Sequence, residues 1–278
     1  MLRSMKELEG YAIRAIDGTI GHVQDFYFDD ESWVIRYFVV DTGSWLSGRK
    51  VLISPIAIGH PNWSERALSV SLTKAQVEDS PDIDTELPVS RQHEIRHLRH
   101  YGYPYYWGGT GLWGGVDDPS MMLMTGYDGF VPTPHAPPTE AEEAYGSMEA
   151  ARHQNDDPHL RSCKVITGYH VAAKDGGIGH VQGMLVDEDS WAIRYLVVDT
   201  SNWWLGHEVL IAPQSIQNVS WREETVSVNL TRQAVKESLP YEAEALDRIL
   251  ETNVAERYTF RPLGRRGETR MNPVQKSK

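Results

Sequence analysis

The chain has 278 residues, 40% hydrophobic and 24% charged, a balance that supports buried cores. Its formal net charge of -12 argues against a phosphate-binding surface, which needs clustered Lys and Arg. Its single cysteine, Cys163, excludes an intramolecular disulfide framework and fits a reducing compartment.

In chain order, the first eighteen residues run straight into a patterned domain, with no apolar stretch of signal-peptide length. No segment reaches the run of about 18 apolar residues that a membrane helix needs. The expectation is a cytoplasmic protein.

From residue 10 the sequence has a partner further along. Residues 10–80 align without a gap on residues 168–238, at a constant offset of 158, and about half of the paired positions are identical. Two copies are too few for a solenoid, and each is long enough for a small domain. The chain reads as a tandem duplication.

Within each copy the dominant period is two. Trp33, Ile35, Tyr37 and Val39 alternate with Val34, Arg36, Phe38 and Val40, and Trp191, Ile193, Tyr195 and Val197 take the same places in the second copy. Aromatic and β-branched alternation of this kind predicts strands. Asp17-Gly18 and Asp175-Gly176 predict tight turns, and the acidic runs 29–32 and 187–190 predict the next reversals. RKVLIS and HEVLIA close on Pro55 and Pro213, and Thr73 and Thr231 are suited to cap one short helix each. Five or six short strands in about 70 residues predict a small closed or nearly closed β-barrel, because closure removes exposed edges.

The pattern DG-x-IGHV, then D-x-x-SW-x-IRY-x-VVDT-x-x-W, then VLI-x-P, occurs in both copies. It resembles the PRC-barrel domain, the family of the cytoplasmic domain of the photosynthetic reaction-centre H subunit and of the C-terminal domain of the ribosome maturation factor. The resemblance implies a mainly β fold of two tandem barrels. It also implies partners of the kind that family uses, in membrane-associated or ribosomal complexes. The chain departs from both named members. It lacks the membrane helix of the first, and where the second carries a different N-terminal barrel, its two copies are of one kind.

The expected boundaries are a first barrel at 5–81, a helix and irregular linker at 82–163, a second barrel at 164–240, and a C-terminal helix with a basic tail at 241–278. The linker opens on a helix, SRQHEIRHLRHYG, continues through a Gly-, Pro-, Tyr-, Trp- and Met-rich stretch without periodicity, and ends acidic. Its aromatics are suited to strapping across a barrel or binding a partner. After the second barrel, Leu246, Ile249, Leu250 and Val254 share one helical stripe. Residues 258–278 then carry six basic side chains against Glu268 alone, which reads as a solvated tail.

Three constellations bear on chemistry. His93, His97 and His100 fall on one helix face, an i, i+4 arrangement able to chelate a metal such as Zn²⁺. The neighbouring Arg91, Arg96 and Arg99 oppose a cation, so a solvated polar face is the expected role and no metal or cofactor is assigned. The acidic runs lack the ligand alternation of a calcium loop. His22 and His180 recur with Asp41 and Asp199, an acid–base pair in type. No nucleophile accompanies them, since Cys163 lies outside both repeats as aligned, and GGTGLWGG lacks the strand-turn-helix setting of a phosphate loop.

What remains is a set of loop aromatics, Trp45 with Leu46 and Trp203 with Trp204, as a candidate interaction surface. The sequence therefore predicts a non-catalytic protein-interaction or assembly module, an adaptor that docks to a complex or self-associates as a homo-oligomer. Nucleic acid and membrane insertion are not expected. The alternative is a metal- or small-ligand-binding protein using the histidine-bearing helix.

Overall fold

The computed structural model describes residues 1–59, 61–83, 91–107, 109–124, 160–200 and 207–238, with Val89, Ala144 and Tyr241, and Gln92 through its backbone only. The expected C-terminal helix and basic tail, the acidic end of the linker, and Trp203 with Trp204 fall outside the described residues.

The alternating runs form strands as their pattern dictates. The first copy contains β1 (Leu2–Ser4), β2 (Ala12–Ala15), β3 (Gly18–Asp29), β4 (Val34–Asp41), β5 (Lys50–Ile53) and β6 (Ala67–Ser69). The second contains β7 (Leu160–Ser162), β8 (His170–Ala173), β9 (Gly176–Asp187), β10 (Ile193–Asp199), β11 (Glu208–Ile211), β12 (Ile216–Ser220) and β13 (Thr225–Val228). The molecule is mainly β, with two mixed sheets of matching order, β5-β4-β3-β2-β6 and β11-β10-β9-β8-β13-β12. In each, the long strand pairs antiparallel with both chain neighbours, and β2 with β6 and β8 with β13 are parallel. Register shifts in β3 and β9 bend the sheets, as bulges do.

Local capping follows the sequence expectation. The Thr73 hydroxyl accepts the Gln76 N–H, while the Gln76 side chain accepts the Thr73 N–H, a reciprocal capping box. Thr231 accepts the Ala234 N–H in the same place. The turn aspartates tie these helices back to the sheets: Asp17 accepts the Lys74 N–H at 2.8 Å and Asp175 the Arg232 N–H at 2.7 Å.

The first strand of each copy belongs to the other copy's sheet. β1 pairs with β9, Leu2 opposite Asp187 and Ser4 opposite Leu185. β7 pairs with β3, Leu160 opposite Asp29 and Ser162 opposite Tyr27. The exchange is reciprocal under the 158-residue offset. It also extends the repeat upstream of residue 10, where Leu2-Arg3-Ser4 and Lys6 correspond to Leu160-Arg161-Ser162 and Lys164. Cys163, expected outside both repeats, therefore occupies the place of Met5, and both are buried.

The remainder of the seam repeats the same symmetry. Ile35 N–H donates to the Trp191 carbonyl at 2.9 Å, and Ile193 N–H to the Trp33 carbonyl at 2.7 Å. Trp33 and Trp191 adopt φ of 56° and 57°, a left-handed conformation that costs a bulky residue about 1–2 kcal/mol. Both indoles are buried, and burial of such a side chain contributes about 1.5–3 kcal/mol, enough to hold the strained backbone. Arg3 pairs with Glu188 at 2.9 Å and lies over the Trp63 ring, while Arg161 pairs with Asp30 at 3.3 Å and lies over Trp221. One apolar core contains Phe28, Trp33 and Phe38 of the first copy together with Trp191, Ile193 and Leu196 of the second. The described residues all belong to one compact unit.

Because each sheet is completed by the other copy, the two copies depend on each other for their edges. Cleavage at a protease site introduced near residue 140 of the folded chain should leave two fragments that co-elute on native size exclusion and separate in denaturant. Elution of two independent folded fragments would contradict the exchange.

Candidate functional site

The loop after β4 builds a cleft around Trp45. Asp41 closes the strand by accepting the Gly43 N–H at 2.8 Å, and the Thr42 hydroxyl donates to the Arg49 carbonyl at 2.6 Å. Residues Gly43–Leu46 form a 3-10 turn that ends on Ser47 at φ 54° and Gly48 at φ 75°. This positive-φ exit folds the loop back on itself, with Gly48 N–H donating to the Gly43 carbonyl. Trp45 and Leu46 are half-buried, packed on the core by one side, and the Lys74 ammonium stands 4.4 Å from the Trp45 ring centre.

Beside Trp45 lies a shallow cleft of about 400 Å³, with Ile20, Gly21, His22, Asp41, Thr42 and Ser44 among its lining residues. His22 and Asp41, paired in type from the sequence, are directly opposite on β3 and β4. Gly21 is required for this approach, because a Cβ there would sit 2.0 Å from the Asp41 carbonyl oxygen; Gly179 meets Asp199 in the same way at 1.8 Å. The cleft thus offers an aromatic wall, a cation, an exposed imidazole and a carboxylate, features suited to holding a partner's side chain.

The helix Arg91–Tyr101 departs from expectation. Its histidine face was expected to be solvated, yet His93, Glu94, His97 and Leu98 are all buried against the first copy. His97 Nε2–H donates to the Leu52 carbonyl at 3.0 Å, and its ring meets Tyr37 edge-on at 4.8 Å. His100 Nε2–H donates to the Gln76 carbonyl at 2.8 Å. The helix spacing brings the three rings to one side, but the packing turns His97 and His100 onto separate carbonyls. Among the described residues no group of three His, Cys, Asp or Glu side chains is arranged to hold a metal.

Under this helix lies a polar cluster that the sequence pattern did not reveal. Arg36 donates to the Leu112 carbonyl at 2.7 Å and to Ser32 Oγ at 3.1 Å, lies 3.4 Å from Asp29, and packs in the corner made by the Tyr106 and Trp113 rings, which meet edge-to-face. Arg91 pairs with Glu94 at 3.1 Å, and the Tyr106 hydroxyl donates to the same carboxylate. Burial pushes the Asp29 carboxyl up, but Arg36 and the Ser32 N–H outweigh it and hold Asp29 below the usual range. For Glu94 burial prevails over Arg91 and Tyr106, and its pKa is raised. Trp113, fully buried, donates from Nε1 to the Ser190 carbonyl at 2.8 Å, so the linker strap also grips the second copy. The missed signal was Arg36 itself, an arginine inside an otherwise apolar strand run, which needs buried partners.

Among the described residues, the second copy has no such cover over its corresponding arginine. Arg194 is 30% exposed and 3.8 Å from Asp187, whereas Arg36 is 3% exposed. The acidic turn residues, considered for calcium, act as turn acceptors: Asp29 takes the Glu31 and Ser32 N–H groups, and Asp187 those of Asp189 and Ser190.

Residues 3–64 match the model of the PRC-barrel domain, so the first copy is a PRC-barrel domain, and the second repeats its strand order. A 90-residue stretch is 40% identical to an uncharacterized protein of Deinococcus radiodurans, an alignment covering 32% of each chain. The chain thus spans about a third of the length of that relative. Among the described residues no helix is long and apolar enough to cross a membrane.

Burial pushes the His97 pKa from 6.5 down to about 3. A depressed imidazole pKa favours the neutral folded form, so its contribution is complete above pH 6.5 and is lost as pH falls towards 3. A shift of this size is an upper bound of about 5 kcal/mol. His97→Gln, which keeps a donor for the Leu52 carbonyl, should therefore show a shallower loss of unfolding free energy between pH 6.5 and pH 4. Equal slopes for the two proteins would contradict the burial of a neutral His97.

Proposed function

We propose that this chain, built on a PRC-barrel domain, is a non-catalytic cytoplasmic protein-interaction module whose docking surface centres on the Trp45 cleft. The observation that carries this reading is Trp45 itself. It is a half-buried indole on a braced 3-10 turn, beside an open cleft and under a lysine. Aromatic anchors of this kind dominate interface energetics because a rigid ring loses little entropy on burial. Leu46 extends the apolar contact, and His22 with Asp41 supplies polar rim groups. The PRC-barrel domain supports the class of role, since it implies interaction or assembly. In sequence, Trp203 and Trp204 stand where the first copy has Trp45 and Leu46, and the occupant of the cleft is a protein complex or another copy of the chain.

The exposed apolar turn Met121, Leu123 and Met124 lies on the linker, away from the repeated loops in sequence, and serves as a comparison surface. In affinity purification of the tagged full-length protein from native extract, the complex recovered should fall about tenfold or more when Trp45 and Leu46 are both changed to alanine. The same recovery should persist when Met121 and Leu123 are changed to serine. Unchanged recovery with the Trp45/Leu46 variant, its fold intact by circular dichroism, would remove the Trp45 cleft as the docking surface. Light scattering of the purified chain separates self-association from a foreign partner.

A further inference from the structure

The two copies share a row of side chains that crosses neighbouring strands, and the row differs between them in a chemically directed way. In the first copy the directly opposed residues are Ala12, His22, Asp41 and Lys50 on β2, β3, β4 and β5. In the second they are His170, His180, Asp199 and Glu208 on β8, β9, β10 and β11. Opposed residues on adjacent strands project to the same face. One copy therefore presents one imidazole and charges that cancel, the other two imidazoles and two carboxylates.

A third difference accompanies these. Position 19 is threonine in the first copy, and its counterpart Gly177 has no side chain. A Cβ at Gly177 would lie 2.7 Å from His170 Nε2, so the glycine provides the space that the His170 ring fills. Alanine over threonine in one copy has become histidine over glycine in the other, a compensated pair.

The His170 and His180 ring centres are 5.3 Å apart, and both residues are exposed. Zinc binds imidazole nitrogen at about 2.0–2.1 Å, which puts each ring centre about 3.2 Å from the metal. At a tetrahedral angle the two centres are then about 5.2 Å apart. The observed separation matches that value, and binding requires the two rings, which meet edge-on at an interplanar angle of 66°, each to turn a nitrogen towards one ion. Two neighbouring carboxylates favour a dication there, where Lys50 of the first copy disfavours it.

We propose that His170 and His180 form a two-imidazole site for an imidazole-preferring divalent ion of the Zn²⁺ class, with water completing the shell and Asp199 contributing its charge alone. This site lies on the second copy and does not involve the histidines of the helix Arg91–Tyr101. It is independent of the Trp45 docking surface.

The test is titration of the full-length protein with Zn²⁺ against a chromophoric competitor at pH 7.5, alongside the imidazole NMR signals. One Zn²⁺ should bind with shifts in the His170 and His180 rings, and affinity should fall at least about tenfold in His170→Ala and in His180→Ala. Gly177→Thr, which restores the first copy's residue under the ring, should weaken binding while His170 is retained. His22→Ala should leave it unchanged. Affinity in His170→Ala equal to that of the unaltered protein, or loss on His22→Ala instead, would overturn the site. Since His170→Ala recreates the alanine of the first copy, its fold is expected to persist, and thermal denaturation without metal checks this.

Discussion

The structure depends on the reciprocal exchange of two three-residue strands. Leu2–Ser4 completes the sheet of the second copy, and Leu160–Ser162 that of the first. A sheet edge left unpaired exposes backbone donors and acceptors, and a short strand supplied by a neighbour removes that liability. The neighbour here is the other half of the same chain. Once the edges are exchanged, the strained Trp33 and Trp191 turns, the crossed Arg3 and Arg161 pairs and the common core follow as consequences of one pseudo-two-fold seam.

This symmetry is then broken by what covers each copy. The linker returns over the first copy, burying Arg36 against Tyr106 and Trp113 and turning the Arg91–Glu94 pair of its helix inward. Such buried ionic clusters contribute little net stability, but removing one member strands the others without partners. The cluster therefore fixes where the linker lies rather than how strongly the first copy folds. In the second copy Arg194 stays partly exposed, and the cross-strand row has changed from Ala12 and Lys50 to His170 and Glu208. The duplication supplied two equivalent frames, and substitution at a few facing positions gave them different surfaces.

Much of the frame was legible in the residues. The period-two runs, the Asp-Gly turns and the Thr73 and Thr231 caps all encode local geometry, and the structure carries each where the pattern put it. Exchange was not legible from pattern alone, because Leu2-Arg3-Ser4 and Leu160-Arg161-Ser162 are identical and either pairing satisfies the same register. Their recurrence at the same offset was a signal that the repeat runs upstream of residue 10, which an alignment begun at residue 10 passes over. The helix histidines misled for a related reason: spacing gives the face on which His93, His97 and His100 lie, but only packing decides what that face meets. Here it meets Tyr37 and the Leu52 and Gln76 carbonyls. Trp45 was legible as a loop aromatic, while its cleft required the close approach of Gly21 to Asp41, which is a tertiary fact.

The central claim is that the first strand of each copy sits in the other's sheet, and cysteine crosslinking tests it most directly. In a Cys163→Ser background, Ser4→Cys with Leu185→Cys places two thiols at directly paired positions of β1 and β9. Ser4→Cys with Tyr27→Cys places them where an unexchanged strand would pair, since Ser162 is opposite Tyr27. Exchange predicts rapid intramolecular crosslinking of the first pair and none of the second. Crosslinking of Ser4→Cys to Tyr27→Cys, with the first pair remaining reduced, would contradict it.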